Sequence, residues 1–305
     1  MATSTARIMV IIAAMLGTSV ALAAQRTYDK RLEAPPGGRL TFDADVGSVT
    51  VVGHDAPEVV VHAELQGSES YLARLHIRAE QTASGVTISA RMTHSGWFDW
   101  FDWFNFGSNR VRFAVEVPRD YPVDLRTSGG DVDVQNLSAP VRGKTSGGDI
   151  HVESVAGEVT AYTSGGDIEA ERLNGTAELS SSGGHIDVTD STGDLDLRTS
   201  GGSIGLQNDD GSVRAHTSGG SIRAELRVNR GISLSTSGGS ITLLLPQNTG
   251  ASIDAETSGG SVTSDFPLST TRVTGGDELV GTIGSGGAPI SLHTSGGSIH
   301  IEPEG

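Results

Sequence analysis

Residues 145–162 read Thr-Ser-Gly-Gly-Asp-Ile-His-Val-Glu-Ser-Val-Ala-Gly-Glu-Val-Thr-Ala-Tyr. Ile150 and Val152 alternate with His151 and Glu153, and Val159 and Ala161 alternate with Glu158, Thr160 and Tyr162. Period-two alternation bounded by glycines predicts two short, half-buried strands joined by turns. The same tetrad stands at Thr127, Thr145, Thr163, Ser181 (Ser for Thr), Thr199 and Thr217, each 18 residues after the last. It returns at Thr236, Thr257 and Thr294, with a variant at Gly284-Ser285-Gly286-Gly287. A fixed period of this size marks a solenoid. The expected fold is all-β: a parallel β-solenoid (β-helix) of ~18-residue coils, equivalent strands of successive units stacking ~4.8 Å apart.

Strand parity turns each tetrad Thr inward, where stacked hydroxyls would bond one another. The paired glycines would supply positive φ and close approach between coils, and the Ser hydroxyl would bond local backbone. Val132, Ile150, Ile168, Ile186, Ile204, Ile222 and Ile241 form the expected core column. Residues 24–124 are an N-terminal β region, and 125–305 the repeat solenoid. Leu40–Val52 looks like an entry coil, with Asp45-Val46-Gly47-Ser48-Val49 as a degenerate turn. Alternating runs at Val59–Leu65, Leu72–Ala79, Val86–Met92 and Val111–Val117 predict antiparallel strands packed on the N-terminal end. An extra loop is expected near Thr270–Glu278.

Residues 1–23 read as a signal peptide: Arg7, the apolar run Ile8–Gly17, then Ala21-Leu22-Ala23. Cleavage there places the mature chain in the periplasm, on the cell surface or outside the cell. A retained membrane anchor is the bland alternative, and the run is short for a span. The net charge of −16, about −17 without Arg7, disfavours nucleic acid and anionic lipid. Zero cysteine excludes disulfides, thiolate metal sites and thiol catalysis.

The order of motifs resembles a bacterial putative-adhesin family, a β-strand-repeat domain of unknown function in exported envelope proteins. The matching residues are Gly38-Arg39-Leu40, Asp45-Val46-Gly47-Ser48-Val49-Thr50-Val51, Val115-Glu116-Val117-Pro118, the recurring Thr-Ser-Gly-Gly-Asp-Ile, and Gly281-Thr282-Ile283-Gly284-Ser285-Gly286-Gly287 before Thr294-Ser295-Gly296-Gly297-Ser298-Ile299. The resemblance implies an envelope or surface β-solenoid. It also implies an association with envelope-stress systems, hence a sensing or scaffold role. It carries over no catalytic or binding residue.

Two features stand out as candidate sites. Trp97-Phe98-Asp99-Trp100-Phe101-Asp102-Trp103-Phe104-Asn105-Phe106 holds all three tryptophans and half of the 14 aromatics. Trp97, Phe98, Trp100, Phe101, Trp103, Phe104 and Phe106 form either a surface for a cell-envelope glycan, lipid or protein partner, or a cap over the solenoid end. Asp131, Asp149 and Asp167 stack on successive coils, followed by His185, Ser203 and Ser221. Like charges ~5 Å apart repel by about 1 kcal/mol even in water. A calcium ion would relieve this; otherwise the three are solvated turn carboxylates. Lys144, Tyr162, Ser180, Arg198 and His216 look like an ordinary solvated face.

No nucleophile elbow, His-Glu-x-x-His pair or phosphate loop occurs. The chain is therefore read as a non-enzymatic binding or scaffold module. A structural module with the aromatic segment as a cap is the second reading. A polysaccharide-active β-helix enzyme using the Asp column is the third.

Overall fold

The computed structural model of the chain describes residues 24–93, 109–274 and 276–304. The sheet is long, mostly parallel and wound into coils, which is the predicted β-solenoid. Each coil gives one strand to each of two faces. The first face stacks Ser48–His54, Val132–Leu137, Ile150–Val155, Ile168–Glu171 and Ile186–Thr189 in parallel. The second stacks Arg39–Ala44, Val123–Thr127, Val141–Lys144, Val159–Thr163, Ala177–Ser181 and Leu195–Thr199. Ile204–Thr217 and Ile222–Thr236 are long enough to run across both. Inward side chains of the two faces fill the core, and the whole column from Val132 to Ile241 is buried.

The entry coil docks in register, Leu40 opposite Val123 and Val49 opposite Val132. Before it, both faces are extended at their edges. Arg110–Pro118 adds to the first face in parallel, followed by antiparallel Glu58–Gly67 and Ala24–Glu33. Gly85–Met92 adds to the second face in parallel, followed by antiparallel Leu75–Thr82. The N-terminal strands thus continue the two sheets. The run predicted as one strand over Leu72–Ala79 is split. Ser68 caps a one-and-a-half-turn helix, Glu69–Arg74, by accepting the Tyr71 N–H, and the strand starts at Leu75.

The turn chemistry differs from expectation in three ways. The tetrad Thr does point inward, but its hydroxyl bonds backbone. Thr145 Oγ1 donates to Gly130 O of the preceding coil at 2.8 Å and accepts the Gly148 N–H at 3.3 Å. Thr163, Ser181, Thr199 and Thr217 repeat the pattern. The tetrad Thr, not the Ser, therefore ties the turn. The second glycine of each pair serves close approach, since a Cβ on Gly148 would lie 2.2 Å from Gly130 O; the variant turn has positive φ at Gly284 and Gly286, but in the regular coils positive φ falls elsewhere. Among non-glycine residues it falls at Asn136, Ser154, Arg172, Asp190 and Asn208 at the opposite corner, and it recurs just beyond at Gly175 and Gly193.

The residues after those corners, Leu137, Val155, Leu173, Ser191 and Asp209, form a buried column that changes from apolar to polar. Asp209 Oδ1 accepts the Ser191 N–H at 2.9 Å, while Asp209 Oδ2 and Ser191 Oγ have no partner meeting hydrogen-bond geometry. Burial pushes the Asp209 carboxyl up to about 7, against the opposing pull of the Ser191 hydrogen bond.

The C-terminal coils do not stack in chain order. Pro289–Thr294 lies between Ile222–Thr236 and Ala251–Thr257 on the second face. Ile299–Pro303 lies between Ile241–Leu245 and Val262–Ser264 on the first. The turn bonds agree: Thr294 Oγ1 reaches Gly239 O, and Thr257 Oγ1 reaches Gly297 O, both at 2.7 Å. The predicted loop near Thr270–Glu278 belongs to a hairpin, Leu268–Thr274 with Glu278–Ile283, antiparallel to the far edge of Ala251–Thr257. With that edge occupied, the chain's last coil takes the inner edge.

Candidate functional site

The aromatic segment 97–106, with Trp97, Phe98, Trp100, Phe101, Trp103, Phe104 and Phe106, lies outside the described residues. The strands on either side of it belong to different faces, Gly85–Met92 to the second and Arg110–Pro118 to the first.

The Asp column belongs to a hydrogen-bond ladder along the turn edge. Asp131 Oδ1 accepts the Asp149 N–H at 3.1 Å, Asp149 Oδ1 the Asp167 N–H at 2.8 Å, and Asp167 Oδ1 the His185 N–H at 2.7 Å. The ladder continues through His185 Nδ1 to the Ser203 N–H at 2.9 Å, then through the hydroxyls of Ser203, Ser221, Ser240 and Ser298. It starts at Ser48 Oγ, which accepts the Asp131 N–H at 3.0 Å. Asp, His and Ser share one property here, an acceptor within reach of the next coil's amide. A carboxylate that accepts an N–H also has its charge partly offset. Coils one strand spacing apart put neighbouring members of the column about 5 Å apart and Asp131 and Asp167 about 10 Å apart.

The outward side of the second face holds a different constellation. Strand register places Asp43, Arg126, Lys144 and Tyr162 in one row and Thr41, Asp124, Arg142 and Thr160 in the next. Alternation in Val141–Lys144 sends Val141 and Gly143 into the core and Arg142 and Lys144 outward. Asp43, Asp124, Arg126, Arg142, Lys144 and Tyr162, together with Ser128 and Ser146, line a shallow groove of about 500 Å3. A second groove of about 240 Å3 adjoins it, sharing Arg142 and Asp124 and adding Arg39.

The anions nearby are largely answered for. Asp124 pairs with Arg126 at 3.0 Å, and Asp43 pairs with Arg91. Among the described residues, Arg142 and Lys144 have no carboxylate within ion-pair distance. Tyr162 is, with Val228 and Val280, one of the large exposed hydrophobic side chains among the described residues. Its hydroxyl donates to Glu178 at 2.8 Å, and that bond holds the phenol above its ordinary range. The ring is thereby fixed as a neutral platform beside two free cations. In a chain of net charge −16 this is a local reversal of sign.

Sequence reasoning placed Lys144 and Tyr162 on an ordinary face and did not single out Arg126 or Arg142. The signal was available: Arg142 and Lys144 are two residues apart on one strand, and Arg126 is 18 residues before Lys144.

The family model of Toastrack DUF4097 matches residues 39–302. No curated protein matches the chain. Among solved structures, a putative adhesin from Bacteroides fragilis NCTC 9343 is 15% identical, with 91% of this chain and 96% of that one covered at TM-score 0.48. A putative lipid binding protein from Parabacteroides distasonis ATCC 8503 is 13% identical, with 92% and 97% covered at TM-score 0.45. A putative cell adhesion protein from Clostridium sporogenes ATCC 15579 is 16% identical, with 92% and 100% covered at TM-score 0.25. Among the described residues no helix is long and apolar enough to cross a membrane.

Proposed function

The chain belongs to the Toastrack DUF4097 family, as the repeat motifs suggested, and from that premise we propose that it is an exported, non-enzymatic β-solenoid that binds an acidic envelope polymer on its second face. The observation that carries this is the groove of Arg126, Arg142, Lys144 and Tyr162, with two unpaired cations beside a fixed aromatic ring. A cation binds uronate or phosphate oxygens, and a ring face stacks on a sugar. Rows repeating along the stack suit a repeating ligand better than a small molecule. In this proposal the aromatic segment 97–106 is a second contact.

The test is binding of the mature chain to acidic and neutral polysaccharides, compared with the double variant Arg142→Glu, Lys144→Glu. Both residues point to solvent, so the fold is retained. The expected result is salt-sensitive binding of acidic polymers only, weakened about tenfold or more by the double reversal. A triple variant Trp97→Ala, Trp100→Ala, Trp103→Ala in the same assay reports on the second contact. Binding of neutral glycan alone, equal binding by the charge-reversed chain, or cleavage of the polymer would overturn the proposal.

A further inference from the structure

His300 and Glu302 are two residues apart on Ile299–Pro303, so both point outward while Ile299 and Ile301 are fully buried. Asp265 follows the neighbouring strand Val262–Ser264, and its N–H donates to Ile301 O at 2.9 Å. That bond sets Asp265 beside Glu302, one step beyond the Ser264–Ile301 pair. Two carboxylates on adjacent strands therefore meet at one imidazole. His300 Nε2 lies 3.2 Å from Glu302 Oε2 and 3.8 Å from Asp265 Oδ2. One ligand atom from each of the three residues lies within 4.8 Å of the others.

The other ring nitrogen is held separately. His300 Nδ1 is 2.7 Å from Thr263 Oγ1, whose hydroxyl donates to Ile299 O at 3.4 Å. With the hydroxyl proton directed at Ile299, Thr263 accepts the Nδ1–H. Nε2 then faces both carboxylates and is the nitrogen free to take a metal ion in place of a proton. A hydrogen bond that orients the non-ligating nitrogen is the usual outer-shell support of a metal-bound histidine.

The other imidazole–carboxylate groups among the described residues lack this geometry. His62 gives Nδ1 to Asp29 and Nε2 to Glu64. His151 gives Nδ1 to Glu169 and Nε2 to Glu153. Each splits its nitrogens between two carboxylates. His300 alone presents one nitrogen to both. Unlike Asp131, Asp149 and Asp167, whose oxygens accept backbone N–H groups, Asp265 and Glu302 have only His300 near their carboxylates among the described residues.

Ligands around a first-row divalent ion bonded at about 2.1 Å lie roughly 3.0–3.4 Å apart. Closing a spacing of up to 4.8 Å to that of a coordination shell takes a contraction of at most about 1.4–1.8 Å. One imidazole and two carboxylates favour zinc or a similar transition ion over calcium, which takes oxygen ligands. All three side chains are partly open to solvent, so an ion can enter and keep water on its remaining positions.

We propose that Asp265, His300 and Glu302 form a binding site for a divalent transition-metal ion, which ties the C-terminal coil to the strand at the end of the stack. The test is titration of the chelator-treated mature chain with zinc by calorimetry, and with cobalt by its visible absorption. One saturable equivalent is expected, accompanied by slower amide exchange in 299–303 and 262–264. His300→Gln and Asp265→Asn each weaken binding by about tenfold or more, and Thr263→Val by about tenfold. His62→Gln and His151→Gln leave it unchanged. All of these side chains lie on the surface, and circular dichroism verifies the fold of each variant. Absence of saturable binding in the wild-type chain would overturn the proposal, and so would zinc binding that survives both His300→Gln and Asp265→Asn.

Discussion

Replacing Asp209 with Asn should make the protein more stable in neutral solution and alter its response to pH. Asp209 is 1% exposed, and its carboxyl titrates near 7 in the folded chain instead of 3.8. The cause is burial first, with the Ser191 hydrogen bond and Arg227 pulling the other way and Asp190 adding to the rise. A raised carboxyl means the folded state holds a proton that the unfolded state releases. Stability from this group is present in full below about pH 4, falls by about 1.4 kcal/mol per pH unit, and is gone above about pH 7. The total swing is about 4 kcal/mol. Asn is neutral throughout, keeps an oxygen for the Ser191 N–H, and can donate its amide to the unpartnered Ser191 Oγ. Urea unfolding of both proteins at about pH 4.5, 6 and 8 measures the effect. The difference in unfolding free energy between variant and wild type should widen as pH rises, since all other titrations are common to both. Parallel profiles across that range would refute the argument that Asp209 is buried as the acid.

Other expectations concern the turns. Gly148→Ala forces a Cβ to within 2.2 Å of Gly130 O and should cost about 3 kcal/mol or prevent folding, whereas Gly147→Ala, with nothing within 4 Å, should stay within about 0.5 kcal/mol of wild type; thermal unfolding of the pair separates them. Thr163→Val leaves Gly148 O and the Gly166 N–H without their buried partner and should cost about 1–3 kcal/mol in the same measurement.

The coil itself is written in the sequence because two constraints act locally. Alternation in Ile150–Val152 and Val159–Ala161 sets the faces, and only glycine fits where Gly148 meets Gly130. Stack order is another matter. Thr257-Ser-Gly-Gly-Ser and Thr294-Ser-Gly-Gly-Ser are identical, and any coil edge accepts any other. What orders them is the hairpin around Glu278–Ile283 taking one edge of Ala251–Thr257, a non-local event with no local signature. The ladder was missed because residues were sorted by charge: Asp167, His185 and Ser203 look unrelated until each is seen as an acceptor for the next amide. The Glu69–Arg74 helix did have a signal, Ser68 followed by Glu69. The groove emerges only in register, where Arg126, Lys144 and Tyr162 become neighbours across three strands.

The position of the last coil gives this solenoid the logic of an arch. In a stack laid down in sequence, a ribosome could release one finished course after another, and losing the final course would merely shorten the wall. Here residues 289–303 are the keystone. Until they emerge, Ala251–Thr257 and Val262–Ser264 have no course to rest on and stand off from the masonry already laid. The connection at 246–250 spans a gap one course wide that residues 289–303 fill. A chain cut short by fifteen residues would therefore lose its closure in the interior, and the coil and hairpin beyond it would be cast loose. Closure of the fold waits on residues 289–303, so a product lacking them carries an open seam by which it can be distinguished from one that has them.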